Sequence, residues 1–405
     1  MKGVVNGKHL MILGAGPFQV PAICRAVVLG YRVTTVDYLP DNVGHRYSHH
    51  SVDCSTADVE GVYQAARDLK IDGICTFSSD VAVPTVASVA ERLGLPGAGL
   101  SAAQIMADKG RFRAFQEKSG LDHPRFVVVQ DYAHTIDGMA RLQGPVIVKP
   151  VDTSGSRGMT VLHALNETEA RRAFDHALAF SRSGQVCVEE FIDAVEVGGD
   201  AILSQGRIAF IAITHKHLSG LVVTGHSLPC NLAPEDQERV REVLDRTCAA
   251  LCYRDGPLNF DVMVTPERVV ILEMSPRNGG NGIPAVIERA TGVNVEELAL
   301  RIAAGEMPVF AGEAMRRGAG SFVFGSPHGG LLKAIADEES VCRLVPEIFH
   351  FHPFLHPGDR VQPFAHNGNL IGYVLFDCRD ADDYTRLTRV ITSVLAIEVE
   401  EGTTP

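Results

Sequence analysis

The stretch Pro145-Val-Ile-Val-Lys149-Pro-Val-Asp-Thr-Ser-Gly155-Ser-Arg-Gly158-Met159 runs a short apolar strand into a lysine and then into a glycine-bearing loop. Glycines at 155 and 158 let such a loop turn backbone N–H groups toward an anion, and Lys149 puts a positive charge at its base. This is phosphate chemistry in outline. It is not the GxxxxGK[ST] arrangement, in which the lysine follows the glycines and opens a helix. Here the lysine comes first, so the loop reads as a flap joining two strands, with an ordinary surface hairpin as the alternative.

The composition sets the frame for that loop. A chain of 405 residues is too long for one core and implies two or three domains. With 45% hydrophobic and 21% charged residues it has the make-up of a soluble globular protein. A formal net charge of -12 argues against nucleic acid as a partner. No apolar run reaches the roughly 20 residues that span a membrane, and the first residues lack a signal-peptide core, so the expectation is a cytoplasmic protein with no membrane partner. Nine scattered cysteines without a CxxC pair suggest reduced thiols.

Upstream, the continuous apolar run His9–Leu13 ends in Gly14-Ala-Gly16-Pro-Phe-Gln19 before a helical stretch. The next strand ends at Asp37, which completes a βαβ unit and invites a dinucleotide reading with Asp37 on a ribose, although Gln19 stands where a third glycine belongs. Further strand and helix pairs run through Gly73–Phe77 and a helix opening near Ser78-Ser79-Asp80. This alternation predicts a parallel α/β sheet, with Gly16, Gln19, Ser79 and Asp80 at the carboxyl ends of its strands as a candidate substrate floor. The same residues also suit plain turns and helix caps.

Downstream, alternating strands and helices around the opening loop predict a small antiparallel sheet. The stretches Gly256–Val264 and Val269–Asn281 then read as a hairpin with Asp261 on one strand and Glu273 on the other. Facing carboxylates with no local cation repel each other unless something positive lies between them. Mg²⁺ suits the position because it takes one or two carboxylates plus phosphate oxygens. After about Pro308 the chain reads as a compact α+β domain. His350, His352, His356 and His366 there carry metal-like residue types without a carboxylate at fixed spacing.

Taken together, Asp108-Lys109, the loop from Lys149 to Met159, Val188-Glu-Glu-Phe-Ile192, Asn259-Phe-Asp261 and Leu272-Glu-Met-Ser-Pro-Arg277 resemble, in order, the ATP-grasp superfamily. The carboxylate-amine ligase branch, similar to L-amino acid ligases and related to biotin carboxylase-like enzymes, fits best. The resemblance implies a pre-ATP-grasp α/β domain at 1–106. It also implies an ATP-grasp domain of two α+β subdomains at 107–308, with a lid at about 122–190, and a small α+β domain at 309–405.

The resemblance further implies that Lys109 and Lys149 grip ATP phosphates beneath a lid made of Ser154, Gly155, Ser156, Gly158 and Met159. Glu189, Glu190, Phe191 and Ile192 would meet adenine, and Glu196 the ribose. Asp261 and Glu273 would bind one or two Mg²⁺, while Arg277 would hold a carboxylate or acyl phosphate. The family commonly has Asn two residues after the second metal carboxylate, where this chain has Ser275, so either Asn278 would reach in as a substitute ligand or one metal would bind weakly. Lys216, His215, His217 and His226 are candidates for holding substrate or taking the amine proton, and Gly279 and Gly280 for holding substrate.

No Ser/His/Asp or Cys/His arrangement supplies a protein nucleophile. That agrees with the reaction the resemblance implies, ligation of a small-molecule carboxylate to an amine, amino acids among them, through an acyl phosphate. A purine-pathway or biotin-type carboxylase and a non-catalytic ATP-binding regulator are the rivals. A homodimer is a family-level expectation.

Overall fold

The computed structural model describes residues 7–164, 166–307 and 315–401. Its first unit is a four-stranded sheet in the spatial order His50–Asp53, Arg32–Asp37, His9–Leu13, Gly73–Thr76, every pair parallel. The strand His9–Leu13 is buried along its whole length, as the unbroken apolar run predicts for a central strand covered on both faces. Strand order reverses between His9–Leu13 and Gly73–Thr76. The turns that leave these two strands therefore open a crevice at the switch point.

Asp37 serves this turn rather than a ribose. Its carboxylate is 7% exposed and accepts hydrogen bonds from Ala15 N–H (2.9 Å), Leu39 N–H (3.0 Å) and Asn42 Nδ2 (3.0 Å). Gln19 is buried and donates to the Phe77 carbonyl at 2.6 Å, which ties the two switch-point turns together. The dinucleotide reading is corrected accordingly: the acceptor that would meet a ribose already has three donors.

The flap is a four-stranded antiparallel sheet ordered Phe126–Val129, Val186–Glu190, Val146–Pro150, Thr160–Leu162. The helices Tyr132–Leu142 and Glu167–Phe180 bury Met139, Leu142, Ala173 and Phe174 against it. Opposite stands an eight-stranded antiparallel sheet, ordered Val269–Ser275, Gly256–Val264, Val195–Ser204, Arg207–Ser219, Val222–Leu228, Ala319–Phe324, Gly372–Asp377, Ile348–Pro353. Its last three strands come from the C-terminal part, so one sheet runs across the expected boundary between 107–308 and 309–405; residues 308 and 309 lie outside the described residues.

One cap matters for the site. Asp108 Oδ1 accepts from Arg111 N–H at 2.8 Å and starts the helix Lys109–Lys118 at its first lysine. Lys109 and Arg113 therefore sit four residues apart on one helix face. A cation in a first turn opposes the helix dipole, which instead favours an anion at that end.

Candidate active site

Two cavities lie between the flap and the large sheet. The first, of about 150 Å³, is lined by Lys149, Phe191, Ile192, Glu196 and Met263 among others. The second, of about 240 Å³, is lined by Phe18, Ser78, Asp80, Arg157, His226, Asn259 and Arg277 among others, and reaches the switch-point crevice. Both are bordered by Gly155, Lys216, Val223, Asp261 and Glu273. The hairpin carboxylates therefore stand where the cavities meet.

Asp261 and Glu273 are direct cross-strand partners, so their side chains share a face. Each is 30% exposed. Local sequence shows no cation between them, but the tertiary structure supplies two: Lys216 Nζ lies 2.9 Å from Asp261, and Lys109 Nζ lies 3.5 Å from Glu273. Lys216 also pairs with Glu196, and these two carboxylates raise its pKa well above the ordinary lysine value against the opposing effect of burial. Lys216 thus stays charged and cannot take an amine's proton. Gly198 passes beneath Asp261, and a Cβ there would lie 2.6 Å from the Asp261 Oδ1.

Among the described residues no group of three or more His, Cys, Asp or Glu side chains could hold a metal, the C-terminal histidines included. Two carboxylates at a cavity junction nevertheless suit a divalent cation that completes its shell with phosphate oxygens and water. Ser275 and Asn278 do not extend that set. Ser275 is 5% exposed and hydrogen-bonds Asp80, while Asn278 is fully buried, donates to Asp200 at 3.2 Å and lines neither cavity.

Lys149 is buried, with its ammonium 2.7 Å from Glu189. Burial lowers its pKa, and Glu189 opposes that change. The Glu189 carboxylate is also held by Arg113, whose Nε lies 2.9 Å away. Burial alone would raise the Glu189 pKa, but Arg113 and Lys149 bring it down to about 2. The expected adenine-reading role of the Glu189 side chain is therefore corrected, because its carboxylate is the shared counter-ion of two buried cations. Glu190 is likewise engaged, by Arg125 (2.7 Å) and Arg268 (2.8 Å); Glu189, Glu190, Phe191 and Ile192 all line the first cavity. Arg113 escaped the sequence reading; its one signal was an arginine on the Lys109 face of the helix.

Arg277 lines the second cavity but is engaged in the same way. Its Nε and Nη2 grip Asp80 at 2.6 to 2.9 Å, and its Nη1 donates to Asn259 Oδ1 at 2.7 Å. Burial would raise the Asp80 pKa, yet the Arg277 charge and hydrogen bonds from Ser275 and Arg277 hold it below the ordinary value. The pair fastens the N-terminal sheet to the hairpin.

Gly280 and His226 line the second cavity, whereas Gly16, Gln19, Ser79 and Gly279 line neither. Gly279 N–H instead donates to Asp200 at 2.9 Å. His226 bonds Thr214 at 2.9 Å, and burial pushes its pKa down to about 3, so it is a poor proton acceptor. His217 stacks on Tyr384 at 3.5 Å, and burial leaves its pKa at about 3 too. In the flap loop Gly155, Ser156 and Gly158 all have positive φ. The Ser156 hydroxyl donates to the Leu221 carbonyl at 2.8 Å, and Asn367 N–H donates to the Gly155 carbonyl at 3.1 Å.

Residues 142–285 match the ATP-grasp domain family, and residues 24–97 match the ATP-grasp N-terminal domain. The chain carries an ATP-grasp fold. The carbamoyl phosphate synthase large chain of Vibrio parahaemolyticus is similar, at 28% identity over 323 residues, 73% of this chain and 29% of that one. That of Halobacterium salinarum is 30% identical over 239 residues, 56% of this chain and 22% of that one. The chain thus spans less than a third of the length of these curated relatives.

Among solved structures, the L-amino acid ligase from Bacillus licheniformis superposes with a TM-score of 0.81 at 21% identity, covering 98% of this chain and 99% of that one. Phosphoribosylglycinamide synthetase from Anaerococcus prevotii gives 0.75 at 22% identity, covering 97% and 100%. N5-carboxyaminoimidazole synthetase from Staphylococcus aureus complexed with ADP gives 0.75 at 14% identity, covering 96% and 98%. At these identities the likeness is one of ATP-grasp fold. Among the described residues no helix is long and apolar enough to cross a membrane.

Proposed function

We propose that this ATP-grasp chain is an ATP-dependent ligase that joins a small carboxylic acid to an amine, amino acids among the substrates, and releases ADP and phosphate. The observation that carries this reading is the meeting of two cavities at Asp261 and Glu273. The first cavity, lined by Phe191 and Ile192 and by Lys149 and Lys109, suits a nucleotide: apolar side chains for a base and cations for phosphates. The second, polar cavity suits the acid and amine.

In the reaction a carboxylate oxygen attacks the γ-phosphorus, the bond to the β-phosphate oxygen breaks and ADP leaves. The amine nitrogen then attacks the activated carbonyl carbon, an amide forms, and phosphate and a proton are released. Lys149, set by Glu189, and Lys109 at its helix start would hold the phosphates, and the loop from Ser154 to Gly158 would exclude water above them. Asp261 and Glu273 would hold Mg²⁺, which when bound neutralises charge on the phosphates. Catalysis in this reading is positioning and electrostatics. A cytoplasmic setting and a homodimer belong to the same reading.

Phosphate release with MgATP across pairs from a panel of amino acids and small acids tests it. Stimulation only by an acid and an amine together is the expected result. Dependence on bicarbonate would replace the ligase with a carboxylase, and nucleotide binding without turnover would leave a regulator.

A further inference from the structure

The site as built leaves the substrate's own carboxylate without a cation. Three cationic side chains line the second cavity, and two of them are occupied: Arg277 by Asp80, and Lys216 by Glu196 and Asp261. The third is Arg157. It lines both this cavity and the adjoining one bordered by Thr153 and Lys109. It is exposed, and among the described residues its guanidinium has no hydrogen bond or ion pair.

Its placement is built in. Ser156 and Gly158 on either side have φ of +63° and +70°. The loop is held from the large sheet by Ser156 on the Leu221 carbonyl at 2.8 Å, and from the C-terminal part by Asn367 N–H on the Gly155 carbonyl at 3.1 Å. A Cβ on Gly158 would come within 2.9 Å of Pro150 and 3.1 Å of Phe180, so the backbone has little freedom to turn Arg157 elsewhere. Space for the guanidinium is kept by Gly368, where a Cβ would fall 3.2 Å from Arg157 Nη2 and 2.9 Å from the His366 ring. A planar guanidinium matches a carboxylate or phosphate with two parallel hydrogen bonds, which neither lysine nor an engaged arginine offers.

We propose that Arg157 receives the carboxylate of the acid substrate and then its acyl phosphate. The proposal rests on the ligase reading above. It makes a loop side chain, rather than Arg277, the residue that recognises the acid.

The test uses the full chain and inorganic phosphate as the probe, titrated by calorimetry into the MgADP complex. The wild type is compared with Arg157→Gln and Arg157→Lys. Loss of one charged hydrogen-bonding partner should weaken phosphate binding by about 10- to 100-fold in the glutamine variant, with lysine in between. MgADP affinity should stay within about twofold, because Arg157 is outside the first cavity. Unchanged phosphate affinity in Arg157→Gln with intact MgADP binding overturns the proposal, as does a wild-type MgADP complex that takes up no phosphate. A wild-type chain that binds no MgADP refutes the ligase reading itself, and the proposal with it.

Discussion

Glu189→Gln separates two roles for one carboxylate. As an adenine reader, Glu189 would be replaced with a change in base selectivity and little change in stability. As the shared counter-ion of Arg113 and Lys149, at 2.9 Å and 2.7 Å, its loss leaves two buried cations unpaired. Breaking a buried pair by removing one partner costs about 3 to 5 kcal/mol. The same two cations hold the Glu189 pKa below its ordinary value, at about 2, against the opposing effect of burial. Because the folded-state pKa lies below the unfolded one, this stabilisation is fully present above about pH 4.5 and is lost as pH falls toward 2.

Denaturant unfolding of wild type and variant from pH 7 to pH 3 measures both effects, alongside MgATP and MgGTP affinities. A loss of about 3 to 5 kcal/mol at pH 7 that narrows below pH 4.5 is expected, with weaker binding of both nucleotides and an unchanged ratio between them. A variant as stable as wild type at pH 7, with altered ATP-to-GTP preference, would refute the counter-ion role.

Two further substitutions probe the hairpin. Glu273→Gln should lower turnover by at least about 100-fold while the thermal midpoint stays near wild type, since Glu273 is part exposed and its 3.5 Å pair with Lys109 contributes little to stability; full activity would remove Glu273 from the metal site. Asp200 is fully buried and accepts from Asn259, Asn278 and Gly279, and burial raises its pKa to about 6. With the folded pKa above the unfolded one, charging it costs stability as pH climbs from about 4 to 6. Asp200→Asn should therefore lose that downward slope in unfolding free energy, and a slope equal to wild type would show that Asp200 is not its source.

Much of the flap and of the hairpin was legible because their signals are local. Lys149 precedes its glycines by a few residues, Asp261 and Glu273 belong to one hairpin, and Asp108 caps the helix that Lys109 opens. What was not legible is which charges neutralise which. Arg113 and Glu189 are 76 residues apart, Asp80 and Arg277 197, and only tertiary packing brings them together. Sequence periodicity can place Arg113 on a helix face, but it cannot name the strand that face meets. The same limit made Arg277 look available and left Asn367, on a loop more than 200 residues downstream of Gly155, without a role.

In the proposed reaction the acid's carboxylate is phosphorylated at the junction of the two cavities before the amine attacks. Labelling both carboxylate oxygens of the active acid with ¹⁸O, and measuring the phosphate released by mass spectrometry, tests this directly. One ¹⁸O is expected in each phosphate formed per amide, the other label remaining in the amide carbonyl. Phosphate free of ¹⁸O in the presence of amide product would contradict it.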